Sequence, residues 1–292
     1  MSLDKNIGII IKAVGGLYFV KTPEGIFECK ARGIFRKEGI SPSAGDNVRI
    51  EDNILIAEIL PRKNFIIRPP LANLDLLVFV VSTCEPVPNF EIIDKFIAVC
   101  EYKGIKPVIA ITKIDLSEGD YIRSIYEKVG IDVLTIDYSK ENCCDEIKSL
   151  LAGKISAFTG NSGAGKTTLL NHIDSTLSLD TGEISKKLGR GRHTTRQVEL
   201  FPLSDGGYVA DTPGFSTFDT NRYDIIRADE LSSCFVEFEE YSCDCKFKDC
   251  AHIAEKGCAV IEAVKSGKIA ETRYSSYVSM YNNAKQIKEW EL

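Results

Sequence analysis

A chain of 292 residues with 44% hydrophobic and 27% charged side chains has the composition of an ordinary globular protein, long enough for about two domains of ~150 residues or three small ones. No apolar run approaches the ~18 residues that a membrane span needs, and Asp4 and Lys12 break up the start MSLDKNIGIIIKAVGG, so a cytoplasmic protein without signal, transit peptide or membrane contact is expected. A net charge of −6 argues against a protein that simply coats nucleic acid, although residues 1–68 carry 11 Lys/Arg against 8 Asp/Glu.

From 7 to 60 the chain reads as five short β-prone runs, IGIIIKAV, GLYFVKT, GIFECKA, DNVRI and ILIAEIL, with turn signals such as TPEG and SPSAGD between them. This predicts a small barrel of the oligonucleotide/oligosaccharide-binding (OB) type, with an SH3-like barrel as the alternative that periodicity does not separate. PRKNFIIRPP (61–70) reads as a linker. The pattern then changes to βαβ alternation. LDLLVFVVS (74–82), PVIAITKID (107–115), IDVLTID (131–137) and KISAFTG (154–160) are strands, and 89–104, 118–129 and 141–151 are helical, the rhythm of a mostly parallel sheet. VELFPL (198–203) and GYVAD (207–211) add a hairpin, and beyond about 220 only helical spacing remains. The expected domains are a barrel over 1–65, an α/β nucleotide domain over 66–220 and a mostly helical domain over 221–292.

The first motif in chain order is TKID, formed by Thr112, Lys113, Ile114 and Asp115 at the end of an apolar strand. An aspartate placed there accepts hydrogen bonds from guanine N1–H and the exocyclic amine, which adenine cannot supply. Lys113 would lie along the base and ribose. Ser139, after the next strand, reads as a remnant of the small-residue motif that backs the guanine.

GNSGAGKT at 160–167 matches G-x-x-x-x-G-K-[ST] in full, between a strand and a helix-forming TTLLNHI. Gly160, Gly163 and Gly165 free the backbone to turn its N–H groups inward. Asn161, Ser162, Ala164 and Thr168 complete the loop, Lys166 reaches the β- and γ-phosphates, and Thr167 binds Mg2+. DTPG follows the strand GYVA, so that Asp211 can hold Mg2+ through water and Gly214 can donate its N–H to the γ-phosphate. A base motif that precedes the phosphate loop reverses the usual order, and the domain reads as a circularly permuted P-loop GTPase. Such rotation is tolerated where termini lie close together at the surface.

Five of the ten cysteines fall between 234 and 258. Cys245-x4-Cys250-x-His252-x5-Cys258 is the spacing of a closed, structural Cys3His zinc site, with Cys243 as a possible substitute for Cys245.

Together these motifs, with RKNFIIRPPLANLD and LGRGRHTTR, resemble a known family, the circularly permuted, ribosome-small-subunit-dependent GTPases called RsgA or YjeQ. The resemblance covers nearly the whole chain. It implies an OB-fold barrel, a permuted GTPase domain and a C-terminal zinc domain. It further implies a monomeric protein that binds the small ribosomal subunit and its 16S rRNA, hydrolyses GTP when stimulated by that subunit and acts in its late maturation. LGRGRHTTR (188–196) aligns with the family's first switch, where Thr194 or Thr195 would bind Mg2+ and His193 could assist hydrolysis. Phe215 stands where many GTPases place the glutamine that orients water, which predicts slow unassisted hydrolysis.

Overall fold

The structure is a computed structural model that describes residues 5–177, 198–211 and 224–287, the side chains of Arg36 and Asp211 excepted. His193, Thr194, Thr195, Gly214 and Phe215 lie outside the described residues, as does the basic stretch 186–196. The chain divides into two compact units, Met1–Val78 with Tyr138–Thr217 and Phe79–Asp137 with Phe218–Leu292.

In the first unit, β1 (Ile7–Val14), β2 (Leu17–Thr22), β3 (Gly25–Ala31), β4 (Asn47–Glu51) and β5 (Leu55–Ile59) fall on the five predicted runs. β1 pairs antiparallel with both β2 and β4, and β3 runs parallel to β5. The cyclic order β1-β2-β3-β5-β4-β1 closes the barrel and is that of an OB fold, which decides against the SH3-like alternative. Alternating inward residues, among them Ile10, Val20, Cys29, Val48, Ile50 and Ile56, fill its core. A short helix, α1 (Gly33–Lys37), adds Phe35 to that core. At five residues it is too short to show helical periodicity, so no sequence pattern announces it.

Residues 61–70 are not a free linker. Arg62 grips the fully buried Asp46 with a two-pronged fork, Nε to Oδ1 at 2.7 Å and Nη2 to Oδ2 at 2.8 Å. The strands β6 (Phe65–Ile66) and β7 (Leu71–Ala72) form a two-residue ladder, and the Ala72 N–H donates to the Ala44 carbonyl. Gly45 is required at this junction. Its φ is +87°, and a Cβ there would lie 2.0 Å from the Ala72 oxygen.

The barrel continues into the phosphate-binding part of the same unit. β11 (Ile155–Thr159) runs parallel to β13 (Tyr208–Asp211), which pairs antiparallel with β12 (Glu199–Pro202) through the turn foreseen at 204–207. β12 meets β1 at the pair Lys12 and Glu199, whose side chains form an ion pair of 2.6 Å. The helices α4 (Asp145–Leu151) and α5 (Lys166–Ile173) flank this part of the sheet.

The second unit takes in the end of β8 (Leu76–Ser82), with β9 (Lys106–Thr112) and β10 (Asp132–Thr135) side by side in the order β10-β9-β8, β9 and β10 being parallel. β8 is buried at every position and β9 at its last five, as continuous apolar runs covered on both faces should be. α2 (Phe90–Lys103) starts at Asn89, whose side chain accepts from the Ile92 N–H, and stops at Gly104 in the left-handed conformation. α3 (Asp120–Tyr126) follows β9.

The C-terminal part of this unit is helical as expected, with α6 (Glu239–Ser242), α7 (Ala259–Lys265) and α8 (Glu271–Ala284). Phe235, Phe238, Val260, Tyr277 and Tyr281 form its core, which extends to Ala98 and Val99 on α2. At the centre lies the fully buried Arg273. It forks onto Glu237 at 2.8 and 2.9 Å and donates to Asp94 of α2 at 3.1 Å, while the Tyr126 hydroxyl donates to the same Asp94 oxygen.

Candidate nucleotide site and metal centre

The phosphate loop sits where the sequence places it, between β11 and α5. Gly160, Gly163 and Gly165 have φ values of +134°, +81° and +94°, a region that side chains with a Cβ rarely enter. The Ala164 N–H closes on the Asn161 carbonyl, and Lys166 begins α5. Lys166 Nζ donates to the carbonyls of Gly160 and Asn161 at 2.6 and 2.9 Å. Burial lowers its pKa, so the ammonium is poorly solvated and would gain from an anionic partner. The first-turn N–H groups of α5, including those of Thr167 and Thr168, have no acceptor within the helix and face the direction from which an anion is bound.

Asp211 closes β13, paired in register with Glu199. Thr167 is the second residue of α5, and its hydroxyl is a hard oxygen donor of the kind that Mg2+ takes. Ser139 is exposed in the turn after β10.

In the second unit, Thr112 ends β9 fully buried, its hydroxyl donating to the Val81 carbonyl at 3.3 Å. Lys113 then turns out of the strand with φ +58°, a left-handed conformation that non-glycine residues seldom hold without support. Its carbonyl accepts the Leu116 N–H at 3.0 Å, and Asp115 is exposed, open to a ligand.

The support comes from residues that motif reading passed over. Thr83 Oγ1 donates to the Lys113 carbonyl at 2.8 Å, and Lys113 Nζ donates to the Glu85 carbonyl. The available signal was positional: SerThrCysGlu (82–85) follows the carboxyl end of a buried strand, where open α/β sheets bind ligands.

Cys245, Cys250, His252 and Cys258 bring one ligand atom each within 4.8 Å of one another. Cys245 and Cys258 sulfurs are 3.8 Å apart, and His252 Nδ1 lies 3.6 and 3.4 Å from them. A tetrahedron with Zn–S of about 2.3 Å and Zn–N of about 2.0 Å has edges of about 3.8 Å between sulfurs and about 3.5 Å between sulfur and nitrogen, so the donor set fits that cation. Cys243 is exposed and outside the cluster, which selects Cys245. Burial and the neighbouring thiols push the Cys250 thiol up to about 12, so thiolates here need a cation beside them. Glu255 holds the knuckle by accepting the N–H groups of Ala251, Ile253 and Ala254, and Tyr274 donates to the His252 carbonyl.

Residues 7–54 match the RsgA N-terminal domain and residues 59–221 the RsgA GTPase. The chain belongs to the RsgA GTPase family. It is a GTP hydrolase that uses GTP, GDP and Mg2+. Among its relatives is a protein of Caldanaerobacter subterraneus subsp. tengcongensis named small ribosomal subunit biogenesis GTPase RsgA, 43% identical over 97% of each chain. Another of the same name, from Streptococcus pneumoniae serotype 4, is 43% identical over 97% of this chain and 96% of its own. Of solved structures, YjeQ from Thermotoga maritima superposes with a TM-score of 0.80 at 33% identity, covering 97% of this chain and 99% of its own. YloQ, described as a circularly permuted GTPase, gives 0.77 at 35% identity. The permuted order inferred from TKID before the phosphate loop is thus shared with a solved relative.

Proposed function

We propose that this GTPase binds the small ribosomal subunit, through its 16S rRNA and as a monomer in the cytoplasm, and acts in late maturation of that subunit. The observation that carries this reading is a guanine motif ahead of an intact phosphate loop, in a chain that matches proteins named for small-subunit biogenesis from end to end. We assign the barrel to residues 1–65, the GTPase domain to 66–220 and the zinc domain to 221–292.

In this reading Gly160 to Thr168 cradle the phosphates with backbone N–H groups, and Lys166 leaves its loop carbonyls for the β- and γ-oxygens as charge develops there. Thr112 to Asp115 and Ser139 hold the base, Asp115 rejecting adenine because an unmatched carboxylate would stay unpaired. Thr167, Asp211 and one of Thr194 and Thr195 would hold Mg2+, which supplies charge neutralisation on the phosphates when bound. Gly214 reads the γ-phosphate, and His193 is the candidate to assist water. Cys245, Cys250, His252 and Cys258 would hold one structural zinc ion.

Multiple-turnover GTP hydrolysis, measured alone and with purified small subunits, large subunits and whole ribosomes, tests the proposal. Slow hydrolysis alone and strong stimulation by small subunits are expected, because Phe215 stands in the place of a water-orienting glutamine. Fast hydrolysis without ribosomes, or no stimulation by any particle, would overturn it.

A further inference from the structure

A base-reading aspartate works only if its carboxylate stands at a fixed place, and here that place is set by the backbone of Lys113, two residues upstream. Lys113 holds φ at +58°, which its own side chain disfavours, so something outside the motif must hold it there. Thr83 is bonded to both sides of that residue. Its N–H donates to the Thr112 carbonyl at 3.2 Å and its hydroxyl to the Lys113 carbonyl at 2.8 Å.

The turn that carries Thr83 is itself braced. Ser82 Oγ accepts the N–H groups of Cys84 and Glu85 at 3.4 and 3.1 Å and donates to the Glu85 carbonyl at 2.8 Å. That same carbonyl receives Lys113 Nζ. One turn therefore fastens Lys113 at its carbonyl and at the tip of its side chain.

We propose that Thr83 is a positioning residue for base selectivity: its hydroxyl locks Lys113 in the left-handed conformation and so aims Asp115 at the guanine edge. The proposal rests on the assignment of Asp115 as the base reader. Loss of the hydroxyl releases the Lys113 carbonyl, lets the residue relax toward ordinary backbone angles and moves the carboxylate off its two donors.

The test is competition binding of GDP and IDP, which lacks the exocyclic amine, to the full chain. Thr83→Val keeps the side-chain shape, Thr83→Ala is carried beside it in case the branched replacement does not fold, and Thr83→Ser restores the hydroxyl. The hydroxyl-free variants are expected to lose about five- to tenfold in GDP affinity with a smaller loss for IDP, so that the GDP/IDP ratio flattens, and Thr83→Ser is expected to recover the ratio. Equal losses for the two nucleotides, or an unchanged ratio, would overturn the role, since general destabilisation lowers both alike. Asp115→Asn separates the two levels. If it shifts preference from GDP to XDP while the Thr83 variants keep the normal ratio, the role of Thr83 alone falls; if it leaves base preference unchanged, the assignment of Asp115 falls and takes this proposal with it.

Discussion

Single residues carry much of this molecule's specification, and Asp174 shows how a charge can do so without touching a ligand. It follows α5, accepts the Thr176 N–H and hydroxyl at 2.9 and 2.6 Å, and accepts the Ser204 N–H at 2.8 Å, tying the end of α5 to the turn between β12 and β13. Those hydrogen bonds, the Thr176 hydroxyl first, hold its pKa down at about 2 against burial. A carboxylate with a depressed folded pKa contributes stability that is full above its unfolded value near 4 and is lost as pH falls through about 2. The contribution should be about 2 kcal/mol. Asp174→Asn is expected to lower the unfolding free energy by about that amount at pH 7 and by little near pH 2, as urea titrations at the two pH values would show. At this scale the sequence was most legible where chemistry tolerates one residue type, as at the loop glycines and Lys166. Thr83 was illegible because its value lies in a partner 30 positions away in sequence, and a lone threonine after a strand has no pattern.

Elements followed from periodicity wherever they were long. β8 and β9 are unbroken apolar runs, and α2 has both a side-chain cap and a glycine stop, so their assignments held. Short pieces fared differently. The five residues of α1 and the two-residue strands β6 and β7 are stabilised by what they dock on, and the supposed linker is fastened by the Arg62 fork and by Asn73 Nδ2 donating to the Gly45 carbonyl. Packing between elements contained the largest surprise, a buried cation. Nothing in the run ETRYSSYVSM marks Arg273 as internal, yet it is enclosed between Glu237 and Asp94 and lies 4.7 Å from the centre of the Phe235 ring. Removing it leaves two acidic groups without their shared cation. Arg273→Met is therefore expected to destabilise the protein by roughly 3–5 kcal/mol, and by less when it is made in a background that already carries Asp94→Asn and Glu237→Gln. Calorimetry of the single and combined variants checks it. A loss below about 1 kcal/mol in the single variant would show that the network relaxes.

For the whole molecule, the readable layer was the order of motifs, which indicated barrel, permuted nucleotide domain and metal cluster before any geometry was known. The joins were not readable, because contacts between distant segments leave no periodic trace. The metal cluster lies beneath the aromatic core of Phe238, Tyr274 and Tyr277, with Tyr277 donating to the Ala251 carbonyl at 2.6 Å, so loss of a cation there should spread into α8. Exhaustive chelation, or Cys250→Ser, is expected to remove one zinc ion per chain by native mass spectrometry. The melting temperature should fall by about 6–12 °C, which corresponds to a loss on the order of 3 kcal/mol. A chain that holds no zinc and melts unchanged would contradict the assignment.

The seam between barrel and phosphate-binding sheet has a mechanical consequence. Glu199 is the register partner of Lys12 on β1 and of Asp211 on β13, so three directly opposed residues form a crossbar from the barrel wall to the aspartate at the end of the nucleotide strand. The bar joins the barrel at one residue pair, beside an irregularity in β1 between Ile10 and Lys12, so a load on the outside of the barrel reaches the sheet through Lys12 and Glu199. The barrel is in that sense a handle, and its grip ends at Asp211.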